Sequence, residues 1–213
     1  MNTGKKIAEF LLQSKAIKLE PTNPFTWASG WKSPIYCDNR KTLSYPEIRS
    51  FIRDSFVDLI VKTYGTPDLI AGVATGAIAH GALVADELNL PFVYVRAAAK
   101  SHGLENLIEG EIETGMKVVV IEDLISTGGS SLKAVSVLRD AGCDVIGMAA
   151  IFTYGFPEAE KNFRHNNCNL ITLSNYNSLL ELALEKGYIN NDQNDVLKTW
   201  RIDPENWKPN GKN

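Results

Sequence analysis

Residues 118–131, VVVIEDLISTGGSS, lead from an apolar run into two adjacent carboxylates, Glu122 and Asp123, and then into Ser126, Thr127, Gly128, Gly129 and Ser130. Two acids at the end of a buried strand are costly unless they accept hydrogen bonds or face a cation. Ribose hydroxyls or Mg2+ would satisfy them, as would the N-termini of neighbouring helices. The glycines let the backbone approach phosphate oxygens closely, and the hydroxyls add neutral donors. A loop of that kind ahead of a helix N-terminus can hold a phosphate. The same cluster also reads as a loop and N-cap with no ligand. A second small glycine-containing loop, ATGA at 74–77, follows the apolar DLIAGV. No G-x-x-x-x-G-K-[ST] occurs and GVATGAIAHG is not G-x-G-x-x-G, so any phosphate is held without a P-loop lysine or a dinucleotide fingerprint.

Both loops need strands behind them and helices in front. From residue 68 onward, short apolar runs (DLIAGV, FVYVR, KVVVIED, DVIGMAAIFTY, NLITLS) alternate with helical stretches (AIAHGALVADEL, SSLKAVSVLRDAG, PEAEKNFRH, YNSLLELALEKG). Strands without a polar face predict an α/β fold with a largely parallel sheet covered by helices on both sides. Such sheets bind ligands at the carboxyl ends of their strands, which is where the two loops fall. Upstream, residues 44–65 predict a long helix with Ser44 as N-cap, Pro46 in the first turn and Gly65 as stop, and with Ile48, Phe51, Ile52, Leu59 and Ile60 facing inward. FTWASGWKSPIYCD at 25–38 predicts a hairpin around Ser29-Gly30, with Trp27, Trp31 and Tyr36 read as packing. Residues 97–115, AAAKSHGLENLIEGEIETG, lack apolar periodicity, and a long irregular segment in a compact domain is usually a lid or binding loop. One domain over 1–213 is expected: a helix and hairpin subdomain to about 45, an α/β core over about 46–190, and an irregular tail from 201.

Composition narrows the classes. The chain has 213 residues, 44% hydrophobic and 22% charged, with a net charge of −3, as in an ordinary globular protein. That balance argues against a broad nucleic-acid or anionic-membrane footprint. Cys37, Cys143 and Cys168 are far apart with no C-x-x-C spacing, so reduced thiols and a cytoplasmic setting are expected. The N-terminal stretch reads as an amphipathic helix, and no apolar run approaches the roughly 20 residues that span a bilayer. His80 and His165 carry no functional assignment.

VVVIEDLISTGGS resembles the PRPP-binding motif of type I phosphoribosyltransferases, and FTWASGWKSPIYCDNR, YVRAAAKSHGLENLIEG and GVATGAIAHG resemble the orotate-using members of that family. The similarity runs over roughly residues 5–185 in order and spacing. It implies the type I phosphoribosyltransferase fold, a largely parallel twisted sheet with a small N-terminal hood. It implies transfer of the phosphoribosyl group of PRPP to N1 of orotate, giving orotidine 5′-monophosphate and pyrophosphate, the penultimate step of UMP synthesis. Carried over residue by residue, Glu122 and Asp123 hold the ribose hydroxyls, and the segment Leu124, Ile125, Ser126, Thr127, Gly128, Gly129 and Ser130 binds PRPP and cradles its 5′-phosphate. Ser126 also lies near orotate. Arg96, Lys100 and His102 bind pyrophosphate, and Lys100, His102 and Asp123 are the catalytic residues. Ala74-Thr75-Gly76 faces the pyrophosphate. Mg2+ is the expected cofactor, held mainly by the pyrophosphate of PRPP with no dedicated metal site. The resemblance further implies a homodimer whose lid, residues 97–110, serves the neighbouring subunit's site. The chain departs from the pattern at Ala28, at Ala97 and at the strand end IFTYGF, where many relatives carry two lysines and an arginine. The alternatives are a phosphoribosyltransferase for a purine or uracil, and a PRPP-sensing regulator without catalysis.

Overall fold

The apolar runs come together as a six-stranded sheet in a computed structural model that describes residues 2–27, 29–98 and 107–209. The chain opens with α1 (Thr3–Gln13), β1 (Ile17–Leu19), β2 (Phe25–Thr26), β3 (Lys32–Ser33), β4 (Ile35–Cys37), a 3-10 helix (Asn39–Ser44) and α2 (Pro46–Tyr64). Then follow β5 (Leu69–Val73), α3 (Ile78–Leu88), β6 (Phe92–Val95), β7 (Ile108–Glu109), β8 (Lys117–Ile125) and α4 (Gly129–Asp140). The last elements are β9 (Asp144–Thr153), α5 (Pro157–His165), β10 (Leu170–Asn175), α6 (Tyr176–Glu185) and α7 (Asn191–Ile202).

The main sheet has the order β10-β9-β8-β5-β6-β7, parallel except for the β7 edge. From β5 the chain steps to β6 on one side, while β8, on the other side of β5, leads on to β9 and β10. The carboxyl ends of β5 and β8 therefore flank a topological switch point, the crevice where doubly wound sheets bind ligands. Alternation along the strands feeds two cores. Ile70, Val119, Ile121, Ala149 and Ile151 pack with α1, α2, α3, α6 and α7 on one face. Leu69, Ala71, Val118, Val120 and Met148 pack with Leu132, Val135, Leu138 and Phe163 of α4 and α5 on the other. Helices on both faces explain why these strands carry no polar side.

Two small antiparallel pairs form the hood. β2 pairs with β3, Phe25 opposite Ser33, which is the expected hairpin. β1 pairs with β4, Ile17 opposite Cys37, a partnership not anticipated from sequence. α1 buries Ile7, Ala8 and Leu11 in the same core as Leu179 and Ile151, and Ile17 and Ile35 of the hood pairs are buried there too.

Three other expectations change. Tyr45, not Ser44, occupies the N-cap of α2, since Ser44 is drawn into the 3-10 helix; Pro46 and Gly65 stand where expected. β8 runs two residues past the acid pair, to Ile125, because Leu124 and Ile125 continue the pairing with β9 opposite Phe152 and Thr153. The region after 190 contains a full helix, α7, which carries the fully buried Trp200 and extends through Ile202 into the stretch expected to be irregular. Among the described residues, no helix is long and apolar enough to cross a membrane.

Candidate active site

Glu122 and Asp123 sit near the carboxyl end of β8, and successive strand residues point to opposite faces. Glu122 is buried, 5% exposed, and its carboxylate is fully engaged: Asp123 N–H donates to Oε1 at 2.9 Å and Ser131 Oγ donates to Oε2 at 2.8 Å. Burial first, then the neighbouring charge of Asp123, raises the Glu122 pKa above the ordinary carboxylate range; the Ser131 hydrogen bond works against that rise. Burial also raises Asp123, while Glu122's hydrogen bond and the charge of Arg40 pull it back. Two neighbouring carboxyl groups held at a strand end in this way can hydrogen-bond adjacent hydroxyls.

The Asp123 carboxylate lies over Gly76, in the loop after β5. A β-carbon at position 76 would overlap it, so the absence of a side chain there is a condition of the site. This brings ATGA and the acid pair into contact across the switch point. After β8, Gly128 has φ 83° at the N-cap of α4, with the Phe163 ring packed beneath it where a side chain would have to go. The Thr127 carbonyl is turned outward, accepting from Asn162 Nδ2 of α5 at 2.9 Å. Ser126 and Thr127 are half-buried, and Gly129 and Ser130 are exposed at the helix start, which leaves the backbone N–H groups of the first turn of α4 open to an anion. Ile125 belongs to the scaffold: its side chain is fully buried, and its carbonyl accepts from Tyr154 N–H.

Beside this loop lies a cavity of about 270 Å³ lined by Thr26, Trp27, Tyr36, Cys37, Leu124, Ser126 and Tyr154. Its walls come from the hood, the end of β8 and the residue after β9. The rings are braced from behind. Trp27 lies 5.3 Å from Tyr154 and 5.5 Å from Trp200, centroid to centroid. Trp27 Nε1 donates to Ile35 O at 3.1 Å, and Trp200 Nε1 donates to Lys32 O at 3.2 Å, tying the hood to α7. Trp27 and Tyr36, read from sequence as packing, do both things: they pack and they line the cavity. Trp31, stacked on Trp27 at 6.3 Å, is not among the lining residues. Burial, then the charges of Asp123 and Asp38, raises the Cys37 thiol well above its usual value, so it is a protonated donor.

Arg96 closes β6. Its N–H donates to Leu107 O at 2.8 Å and its guanidinium pairs with Glu109 Oε1 at 3.2 Å. Lys100, His102 and Ala28 lie outside the described residues. The structure thus sets Asp123 against Gly76 of the loop at 74–77, with Leu124 and residues 126–130 following along the end of β8 and the start of α4. Sequence reasoning passed over Asn39, Ser131, Tyr154 and Asn162. Of these only Ser131, adjoining the motif, had a local signal.

Residues 45–184 match the phosphoribosyl transferase domain model. A protein from Phocaeicola vulgatus named orotate phosphoribosyltransferase is 64% identical over 209 residues, covering 98% of this chain and 99% of that one. One of the same name from Bacteroides fragilis is 62% identical over 207 residues, covering 97% and 98%. Among solved structures, orotate phosphoribosyltransferase from Aeropyrum pernix superposes with a TM-score of 0.74 at 28% identity, covering 86% of this chain and 99% of that one.

Proposed function

The chain belongs to the phosphoribosyl transferase family, and from that premise we propose that it transfers the phosphoribosyl group of PRPP to N1 of orotate, releasing pyrophosphate and forming orotidine 5′-monophosphate. The observation that carries the reading is the junction at Leu124, near the end of β8, and Ser126, at the start of the hydroxyl loop, which both line the aromatic-walled cavity. A ribose gripped by Glu122 and Asp123, with its 5′-phosphate on the first turn of α4, has C1′ as the carbon that meets a flat base in that cavity. Trp27, Tyr36 and Tyr154 supply flat apolar surface, while Ser126 and the Cys37 thiol supply polar contacts.

The bond from C1′ to the pyrophosphate oxygen breaks as the bond to N1 of orotate forms. Positive charge grows on the ribose ring, and negative charge grows on the departing pyrophosphate. The acid pair faces the first, while Arg96, Lys100 and His102 stabilise the second. With PRPP bound, Mg2+ would further neutralise the charge on the pyrophosphate. Each Glu122 oxygen accepts one protein donor and keeps a lone pair for a substrate hydroxyl; among the described residues no group of three or more His, Cys, Asp or Glu is placed to hold a metal. Closure of residues 97–110 over the site of a second subunit excludes water that would hydrolyse PRPP. No covalent nucleophile takes part.

The deciding assay supplies PRPP and Mg2+ with orotate, uracil, hypoxanthine or adenine in turn and follows nucleotide formation. Turnover with orotate alone is expected; turnover with a purine and none with orotate overturns the assignment. For the lid, Lys100→Ala should lower kcat with little change in orotate binding. Mixed dimers of Lys100→Ala with Asp123→Asn should regain activity, and verified mixed dimers that stay inactive would exclude a lid acting between subunits.

A further inference from the structure

We infer that Asn39 is a positioning residue that fixes the register of the acid pair, an inference that rests on the assignment of Glu122 and Asp123 to the ribose of PRPP. β8 outruns its neighbour. Lys117 O accepts from Asp68 N–H on the β5 side, and alternation along the strand turns the Asp123 carbonyl the same way. Yet β5 pairs with β8 only as far as Gly72 opposite Ile121, and Ala74 N–H donates to Val95 O on the opposite side. At Asp123 there is no strand left to donate. A part-buried backbone carbonyl with no strand partner lacks a protein donor, and Asn39 Nδ2 provides one at 2.6 Å.

Asn39 can do this because it is itself fully determined. It is 0% exposed, and Cys37 Sγ–H donates to its Oδ1 at 3.3 Å. The protonated thiol settles which end of the amide is which, since a flipped amide would set Oδ1 against the Asp123 carbonyl and the NH2 against a donor. Its backbone is pinned as well: Thr42 Oγ1 donates to Asn39 O at 2.6 Å. Having spent its one proton there, Thr42 Oγ1 must accept from His80 Nε2, 3.3 Å away on α3. Asn39, Thr42 and His80 are all buried. The chain of bonds therefore runs from α3 through the 3-10 helix to the backbone of Asp123, and its branch at Cys37 reaches the wall of the base cavity. None of these three groups needs to touch substrate, and their effect passes through Asp123.

The test measures PRPP binding in the presence of Mg2+ by calorimetry, and KM for PRPP and for orotate separately. Asn39→Ala is expected to weaken PRPP binding by about tenfold or more, because it leaves the Asp123 carbonyl without its donor beside the acids. KM for orotate should move by less than about threefold, a split that general loosening would not produce. Thr42→Val should weaken PRPP in the same direction by a smaller factor, and Thr42→Ser, which keeps the hydroxyl, should restore it. A folded Asn39→Ala protein that binds PRPP like wild type, or loses both substrates alike, overturns the inference. Should Asn39→Ala not fold, the Thr42 pair decides, and wild-type PRPP affinity in Thr42→Val overturns it. Wild-type protein that binds no PRPP would instead sink the functional reading.

Discussion

The two halves of the site are built on different plans. The donor half, the acid pair and its hydroxyl loop, comes from one continuous stretch of β8 and α4, laid against a single glycine of the β5 loop, with Glu122 held by Asp123 N–H and the Ser131 hydroxyl. The acceptor half is a cavity whose walls are gathered from β2, β4, the end of β8 and the residue after β9, backed by α7. Its strength is ring packing, and the rings that would face a base also hold the hood to the body of the protein. Damage to the donor half should therefore cost chemistry with the fold intact. Damage to the acceptor half should cost both together.

Gly76→Ala puts that contrast under the greatest strain. Its β-carbon would displace the Asp123 carboxylate, and a misplacement of that kind should lower kcat/KM for PRPP by about a hundredfold while the thermal midpoint stays near wild type. A large fall in the midpoint, read by calorimetry, would break the separation. Trp27→Ala is its counterpart. Loss of a half-buried indole packed on Tyr154 and Trp200 should cost about 2 kcal/mol in urea unfolding, and KM for orotate should rise more than KM for PRPP. Ser131→Ala is milder: removal of one donor from Glu122 should raise KM for PRPP by about fivefold, equivalent to about 1 kcal/mol, with orotate unaffected.

The smallest expected signal is protonic, and it too should belong to the donor half. Glu122 has a folded pKa above its unfolded one. Its sign is thus opposite to that of a salt-bridged acid: the ligand-free protein loses stability as pH rises from the ordinary carboxylate range toward the raised value, and recovers it as pH falls. Ribose hydroxyls donating to the ionised pair lower that pKa, so PRPP binding should release up to about one proton. Calorimetry in buffers of different ionisation heat reads the number. Glu122→Gln should lower it, and an unchanged release would place the proton elsewhere.

The same contrast explains how much could be read in advance. Acid pair, hydroxyl loop and glycine pair are neighbours in sequence because one strand and one helix must present them, so the local pattern was enough. Strand alternation gave the parallel sheet for the same reason. Tyr154, Asn162 and Asn39 act through contacts with residues 28 or more positions away, and no spacing rule announces that an asparagine will meet a carbonyl which a shorter neighbouring strand leaves bare. α7 was missed because it is largely polar and its deepest apolar anchors are Leu197 and Trp200. Its capping box, Asn190 with Gln193, was the available signal.

The hydrogen bond from Trp200 to Lys32 spans 168 positions, and it dates the active site within the life of the molecule. A growing chain emerges from its N-terminus, so the hood hairpin is made before the helix that backs it and waits for it. The hydroxyl loop can take shape once β9 and α5 have arrived. The aromatic cavity has no back wall until α7 closes it, so a nascent chain completes the hydroxyl loop before the cavity beside it.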